Sequence, residues 1–426
     1  TDSLSALARP TGLPAIGSLM VRRIFALEDF GSQGLPRLMA VLNDADVETR
    51  VVGGAVRNLL LDEPVSDIDL ATTAHPDEVM KRAAGAGLHV IPTGVAHGTV
   101  TIVVHGAPFE ITTLREDVET DGRRAVVAFG TDWKADAMRR DFTINALYVD
   151  AAGKLHDPVG GLADIERRAV RFIGDAEQRI REDNLRILRF FRFHARYGKG
   201  RPDAVGLKAA SKLKSGISRL SAERVWKELK LLFAAPDPVI AVRWMRVSGI
   251  MDAALPEQSR WGIDFLEPLI VAERVFGWPA DPMLRLMSIV PPRPDVVGGL
   301  ADRLKISNSE RDRLRGFALA HDAAMSVTAD TIDRVLYRHG ADGVGDNLRL
   351  LCAKRHNEDE AEAHRLSHLI EHGAAWQRPA MPVAGRDLVK TGLKAGPAIG
   401  ETLERLEKAW VESGFKLTRD ELLAMV

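Results

Sequence analysis

The chain has 426 residues, a formal net charge of −1, 46% hydrophobic and 27% charged residues. That length predicts two to four domains, and the composition excludes a disordered, fibrous or low-complexity protein. Cys352 is the one cysteine, which excludes an intrachain disulfide and points to a reducing, cytoplasmic setting. No apolar run approaches the ~20 residues of a spanning helix. The stretch TDSLSALARPTGLPAIG has no apolar core of a secretory signal, so neither a membrane nor export is expected. A net charge near zero argues against a nucleic-acid partner when taken alone. Residues 165–230, however, hold 18 Lys or Arg against 8 Asp or Glu, a local excess of +10. Such a stretch is either a phosphate-contacting surface or a solvated helix face.

In chain order, ETRVVGGAV predicts a short strand ending in glycines, followed by a helix through Val56–Leu61. VSDIDLA is a second strand, and HPDEVMKRAAGAG a helix with Pro76 in its first turn. GTVTIVV, the turn HGAP and FEITTLR predict a hairpin, and AVVAF a weaker strand after a charged loop. WKADAMRRDFTINAL reads as a helix and LYVDAAGKLHD as a strand, which close an α/β unit at Asp157. Beyond Asp164 strand signals nearly vanish, and amphipathic helices such as Ala176–Tyr197 and Ser221–Phe233 follow one another. Breaks fall at AAPDP, GWPADP and VPPRPDVVGG, with Pro291–Gly299 the expected late boundary. The fold class is α+β: a small N-terminal α/β head followed by an all-helical remainder.

Two carboxylates, Asp67 and Asp69, stand two positions apart in VSDIDLA. On a strand they project to one face, with Ile68 and Leu70 turned inward. Their repulsion is relieved by a divalent cation, and Mg²⁺ is held in this way by one or two carboxylates plus substrate phosphates. Glu110 of FEITTLR is a third candidate on the adjoining hairpin. Gly53 and Gly54 upstream allow backbone N–H groups to approach a triphosphate, and Arg57 could add positive charge. A lone D-x-D is often a plain strand end and a lone Gly-Gly a plain turn; their order and spacing join them. The set predicts nucleotidyl transfer with Asp67, Asp69 and Glu110 as catalytic carboxylates and two Mg²⁺ ions.

The runs GGAVRN…DIDLATT, RRDFTINAL (Arg139–Leu147), DPVGGLADI (Asp157–Ile165), REDNLRILRFFRFHARYG (Arg181–Gly198) and LSAERVWKELK (Leu220–Lys230) carry a further message. They resemble the successive motifs of class II tRNA nucleotidyltransferases, the group within the DNA polymerase β superfamily that contains CCA-adding enzymes and bacterial poly(A) polymerases. The closing VAGRDLVKTGLKAGPAIGETLERLEKAW resembles the family's tail segment. The resemblance implies a polymerase β-like nucleotidyltransferase head over 1–157, a helical neck over 158–230 that recognises the base, a body over 231–298 and a tRNA-binding tail over 299–426. It implies addition of C, C and A to tRNA from CTP and ATP with Mg²⁺. Carried over by motif, Asp67 and Asp69 are metal ligands, while Arg140, Asp141 and Asn145 contact the ribose and phosphates of the incoming nucleotide. Asp183 and Arg186 read its base, Glu182 supports Arg186, and Arg189 follows on the same helix. The chain departs from the family pattern at Asn58, where Asp is usual, and at Asp62, where Gly is usual. A local ion pair at Asn58 is thereby put in doubt.

A protein that adds a fixed sequence without a template must supply a complementary edge from side chains. A carboxylate accepting from the amino group and a guanidinium donating to the adjacent ring nitrogen suit cytosine and adenine, and reject uracil and guanine. Asp183 and Arg186, three apart, are expected on adjacent turns of one helix face. Arg186, Arg189, Arg192 and Arg196 share a side, an unpaired row that is either solvated or faces RNA phosphate, with Arg192 and Arg196 as the expected RNA contacts. Within the family a flexible loop bearing D-x-x-R accompanies addition of the terminal A, and Asp121 and Arg124 of DGRR fit it. YGKGRPDAVGL follows Arg196 in place of the basic stretch associated with poly(A) polymerases. Poly(A), A-only and CC-only activity, and a catalytically silent RNA-binding scaffold, remain the alternatives. The pair His321-Asp322 and the histidines His364, His368 and His372 are read as chance and as a solvated helix face.

Overall fold

The computed structural model describes residues 24–121, 124–258, 263–356, 358–394 and 396–426, and the side chains of 116–128 lie outside that description. Helix α1 (Gly34–Leu42) leads into β1 (Thr49–Val52), α2 (Gly54–Leu60), β2 (Asp69–Thr72) and α3 (Pro76–Gly85). Next come β3 (His89–Gly94), β4 (Thr99–Val104), β5 (Ala107–Thr113), β6 (Arg115–Asp121) and β7 (Arg124–Phe129). Then follow α4 (Trp133–Met138), β8 (Tyr148–Val149), β9 (Leu155–His156), α5 (Gly161–Glu166), α6 (Ala176–Glu182) and α7 (Leu185–Tyr197). Seven strands make one sheet in the order β3-β4-β5-β2-β1-β8-β9, while β6 and β7 form a separate ribbon.

Within the sheet β2 and β5 run parallel, and the other neighbours are antiparallel. All four residues of β1 are buried, as befits a strand covered on both faces. Helices α1 and α3 lie together against the sheet, with Leu38, Val79 and Ala83 in the core. The expected hairpin over 99–113 is present, and Pro76 stands in the first turn of α3.

Four expectations change in detail. The strand starts at Asp69, so Asp67 precedes it, yet alternation holds: Ile68 and Leu70 are buried and Asp67 and Asp69 exposed. The charged loop before AVVAF is itself the strand β6, because a lone β7 would leave its N–H and C=O groups unpaired. The helix from Trp133 stops at Met138, and Phe142 instead bridges to Phe172. LYVDAAGKLHD folds back on itself as the short pair β8 and β9.

The chain divides into two compact units, one of residues up to Arg186 with Tyr197–Ala209, the other of Ile187–Arg196 with Ala210–Val426. The described part of the second unit is helical throughout. Helices Asn308–Met325, Ala341–His356 and Glu360–Ala375 pack together around Leu336, Leu348, Cys352 and Leu366. A buried ion pair sits in this unit: Arg285, 1% exposed, donates to Glu273 and to the carbonyls of Phe233 and Ala235. The run around Pro291–Gly299 places Pro294 at the first turn of helix Pro294–Leu304 and both glycines inside it. Among the described residues no helix is long and apolar enough to cross a membrane.

Asp62 has a left-handed backbone, φ 55°. This conformation costs an L-residue with a side chain about 1–2 kcal/mol, less for Asp, and costs glycine nothing. Asp62→Gly is therefore expected to stabilise the fold by about 0.5–1 kcal/mol. A rise in the urea midpoint would register it, and a fall would count against the strain.

Candidate active site

Strand register assembles the acidic rim. Asp69 is the pairing partner of Val52 on one side and of Glu110 on the other. Three sequence-distant residues, with Gly53 one step beyond Val52, thus meet where β1 ends and β2 begins, beside the middle of β5. The Asp69 carboxyl is pushed above its ordinary range by desolvation first and then by Glu110; Arg140 pulls it down and Asp67 pushes it up further. Convergent carboxylates of this kind favour a bound cation. The donors are all oxygen, which suits a hard divalent ion. Among the described residues the trio with ligand atoms within 4.8 Å of one another is a different one, Glu48, Asp150 and His156. It stands at the other end of β1, and its oxygens are already engaged. Glu48 accepts from Arg50 at 2.7 Å and Trp133 at 2.9 Å, and Asp150 from His156 at 2.7 Å and two backbone N–H groups.

Gly53 caps α2 with φ 73°, and its N–H donates to the Leu147 carbonyl at 3.2 Å. A Cβ there would stand 3.6 Å from Arg140 Nη1 and 3.7 Å from the Asn145 carbonyl, so the glycine pair brings the backbone close to the RRDFTIN segment. Gly161 of α5 does the same from another direction, since a Cβ would come within 2.2 Å of the Thr143 carbonyl. The turn carrying Asn145 is thereby held between α5 and the sheet.

Arg57, expected near phosphate, is 7% exposed and turned into this turn. It donates to Asn145 Oδ1, to the Tyr197 hydroxyl at 2.8 Å and to Asn58 Oδ1 at 3.0 Å. Asn58 thus offers Arg57 an uncharged acceptor and forms no ion pair with it, and its amide donates to the Pro64 carbonyl at 2.8 Å. Asn145 in turn donates to Asp141 Oδ1 at 2.9 Å.

Asp136, which sequence reasoning passed over, organises the other side. It is fully buried and accepts from Arg139, from Arg140 at 3.0 Å and from the Tyr148 hydroxyl at 2.8 Å. Burial alone would raise its carboxyl; Arg140 and Arg139 outweigh that and hold it below the ordinary range. The signal was available in DAMRRD: an acid three and four residues before two arginines on a helix end.

The residues expected to face the base are not on one continuous helix. Helix α6 ends at Glu182, Asp183 is extended (φ −151°, ψ 107°), and its Oδ1 accepts from Leu185 N–H at 3.1 Å to start α7. Asp and Asn favour such caps over helix interiors, and Asp183-Asn184 breaks the predicted run. Arg186 Nη1 donates to Glu182 Oε2 at 2.6 Å and to the Arg179 carbonyl at 2.7 Å. Farther along α7, in the second unit, the row is paired and not open: Arg192 lies 2.8 Å and Arg189 3.9 Å from the buried Glu228 of WKELK. Arg196 is exposed.

Asp121 and Arg124 pair through their backbones at the tip of the ribbon, and their side chains lie outside the described residues. The three histidines of helix Glu360–Ala375 go separate ways, His364 to the Glu360 carbonyl, His368 beside Glu371 and His372 to Asp333. His321 holds Asn347 at 2.8 Å.

Comparison with known proteins agrees with this geometry. Residues 49–171 match the poly A polymerase head domain, 206–261 the RNA and SrmB-binding site of polymerase A, and 297–426 tRNA nucleotidyltransferase domain 2. The mitochondrial CCA tRNA nucleotidyltransferase 1 of Mus musculus is 36% identical over 93% of this chain and 90% of its own length. The Homo sapiens protein of that name is 34% identical over 93% and 90%. The crystal structure of Bacillus stearothermophilus CCA-adding enzyme in complex with CTP superposes with a TM-score of 0.72 at 26% identity, over 90% of this chain and 93% of that one. With the acidic rim, the RRDFTIN turn and the EDNLR junction in one unit, these matches establish that the chain belongs to the CCA tRNA nucleotidyltransferase family.

Proposed function

We propose that this protein completes tRNA 3′ ends, adding C, C and A from CTP and ATP with no nucleic-acid template. In each cycle the terminal 3′-hydroxyl bonds to the α-phosphorus, the bond from that phosphorus to the β-phosphate oxygen breaks, pyrophosphate leaves and the hydroxyl proton is released. The observation that carries this is the register that sets Asp69 beside Glu110 and next to Gly53. Asp67 and Asp69 would hold Mg²⁺, two ions in this reading, with Glu110 adjoining. When bound, Mg²⁺ supplies positive charge opposite the attacking and leaving oxygens.

The chain's own residues do the selecting and orienting. Gly53 and Gly54 let the backbone come close to the phosphates. Arg140, fixed by Asp136, supplies a cation, and the hydrogen-bonded pair Asp141 and Asn145 meets the ribose, with Arg57 bracing Asn145 from behind. Asp183 and Arg186 read the base. Both contacts of Arg186 use Nη1, which leaves Nε and Nη2 without a partner among the described residues and able to donate to a ring nitrogen. Arg189 keeps the neighbouring helix face cationic. Asp121 and Arg124 support addition of the terminal A. The family matches at 49–171 and 297–426 support a separate head and tail, with exposed Arg196 and the tail as the tRNA-facing part. A single cysteine, which rules out an intrachain disulfide, supports a reducing compartment such as the cytoplasm.

The deciding experiment offers tRNA lacking CCA to the protein with CTP, ATP or both. Two added residues with CTP and three with both are expected. A ladder of A, a single A or no product would point to poly(A), A-only or scaffold function. Asp67→Ala and Asp69→Ala are each expected to lower incorporation by about 10³-fold or more, and substantial residual turnover would remove them from the metal site. Asp183→Ala and Arg186→Ala should reduce discrimination against UTP and GTP by about 10–100-fold while tRNA binding stays nearly intact. Unchanged discrimination would refute the base reader.

A further inference from the structure

Two parts of the site, the base-facing junction and the Arg139–Arg140 segment, are tied together by one side chain. Arg179 on α6 is 8% exposed. Its Nη1 donates to Glu182 Oε2 at 2.5 Å, and its Nη2 donates to the Arg140 carbonyl at 2.6 Å and to the Arg139 carbonyl. The same Glu182 oxygen takes Arg186 Nη1, which also donates to the backbone carbonyl of Arg179. Arg186 is therefore bound to residue 179 by two routes, one through Glu182 and one through the main chain.

A guanidinium on a long stem carries large rotamer freedom, and a donor that must meet a ring nitrogen tolerates little displacement. Glu182 at the end of α6 would share that freedom without Arg179 on its other side. The Arg139 carbonyl is that of the C-cap of α4 and the Arg140 carbonyl follows it, where the backbone has left the helix and lacks helical partners. Arg179 satisfies them and spans from there to the acid that holds Arg186. We propose that Arg179 is a positioning residue that sets the Arg186 guanidinium relative to the Arg139–Arg140 segment, so that selection of cytosine and adenine depends on it. The proposal rests on the reading of Arg186 as part of the base reader. A purely structural role, capping α4, is the competing account.

A double-mutant cycle in the full chain separates them. Arg179→Met and Arg179→Lys are made alone and with Arg186→Ala, and kcat/KM for CTP and for UTP is measured on tRNA lacking CCA. Arg179→Met is expected to lower the CTP-to-UTP ratio by about tenfold or more, with Arg179→Lys intermediate, and to change it by less than about twofold once Arg186 is Ala. An unchanged ratio, or an equal further drop in the Arg186→Ala background, assigns Arg179 to capping and overturns the proposal. Should Arg179→Met fail to fold, Arg179→Lys carries the same cycle: a lowered ratio that disappears with Arg186→Ala supports the proposal, and any other pattern overturns it. If Arg186→Ala alone leaves the ratio unchanged, the base reader itself falls and the proposal with it, a result distinct from a normal Arg186 effect with a silent Arg179.

Discussion

Like charges held side by side are the constraint on which the first unit depends. Asp69 and Glu110 are register partners on the parallel pair β2 and β5, and Asp67 adds a third carboxylate just upstream. Nothing in strand pairing favours that arrangement; like charges opposite one another destabilise a sheet. The cost is tolerable because both carboxylates are exposed to solvent, Asp69 at the start of β2 and Glu110 midway along β5, while Val51, Leu70 and Ile111 beneath them are buried. The sheet is a rigid mount, and the segment beyond α4 brings Arg140 to the same rim, with Arg57 in the turn that carries Asn145 and Arg186 at the junction of α6 and α7.

Those cationic residues are themselves mounted. Arg140 is fixed by Asp136, Arg57 by Asn58, Asn145 and Tyr197, and Arg186 by Glu182. Each depends on a partner whose role is orientation, and most of these partners are buried. This division between exposed chemistry and buried support is how a site keeps its geometry without spending substrate binding on it.

What could be read from the sequence follows the range of each interaction. Asp67 and Asp69 were legible because a period of two is local, and Ile68 and Leu70 are indeed buried between and after them. Glu110 could be guessed as a neighbour but not registered, since strand pairing across forty residues leaves no local trace. Periodicity alone carries the EDNLR run across Asp183 as continuous helix, while the stop is written in the capping preference of Asp183-Asn184. The arginine row of α7 looked unpaired only because Glu228 is remote in sequence. Asp136 is the instructive omission: its spacing to Arg139 and Arg140 is local, but a lone acid ahead of a conspicuous arginine pair draws no notice until its burial is known.

Asp136 also fixes the electrical character of its surroundings. One anion shared by two guanidiniums leaves a surplus unit of positive charge beside Gly53, a short way from a row carrying surplus negative charge. The rim is thus polarised, and under the proposed function the object that would complement it is itself polarised: a polyphosphate next to its own counter-cation. Neither a bare nucleotide nor a bare ion satisfies both poles, so the two should load as a unit, with an attraction that weakens as ionic strength shortens the ~10 Å reach of each pole.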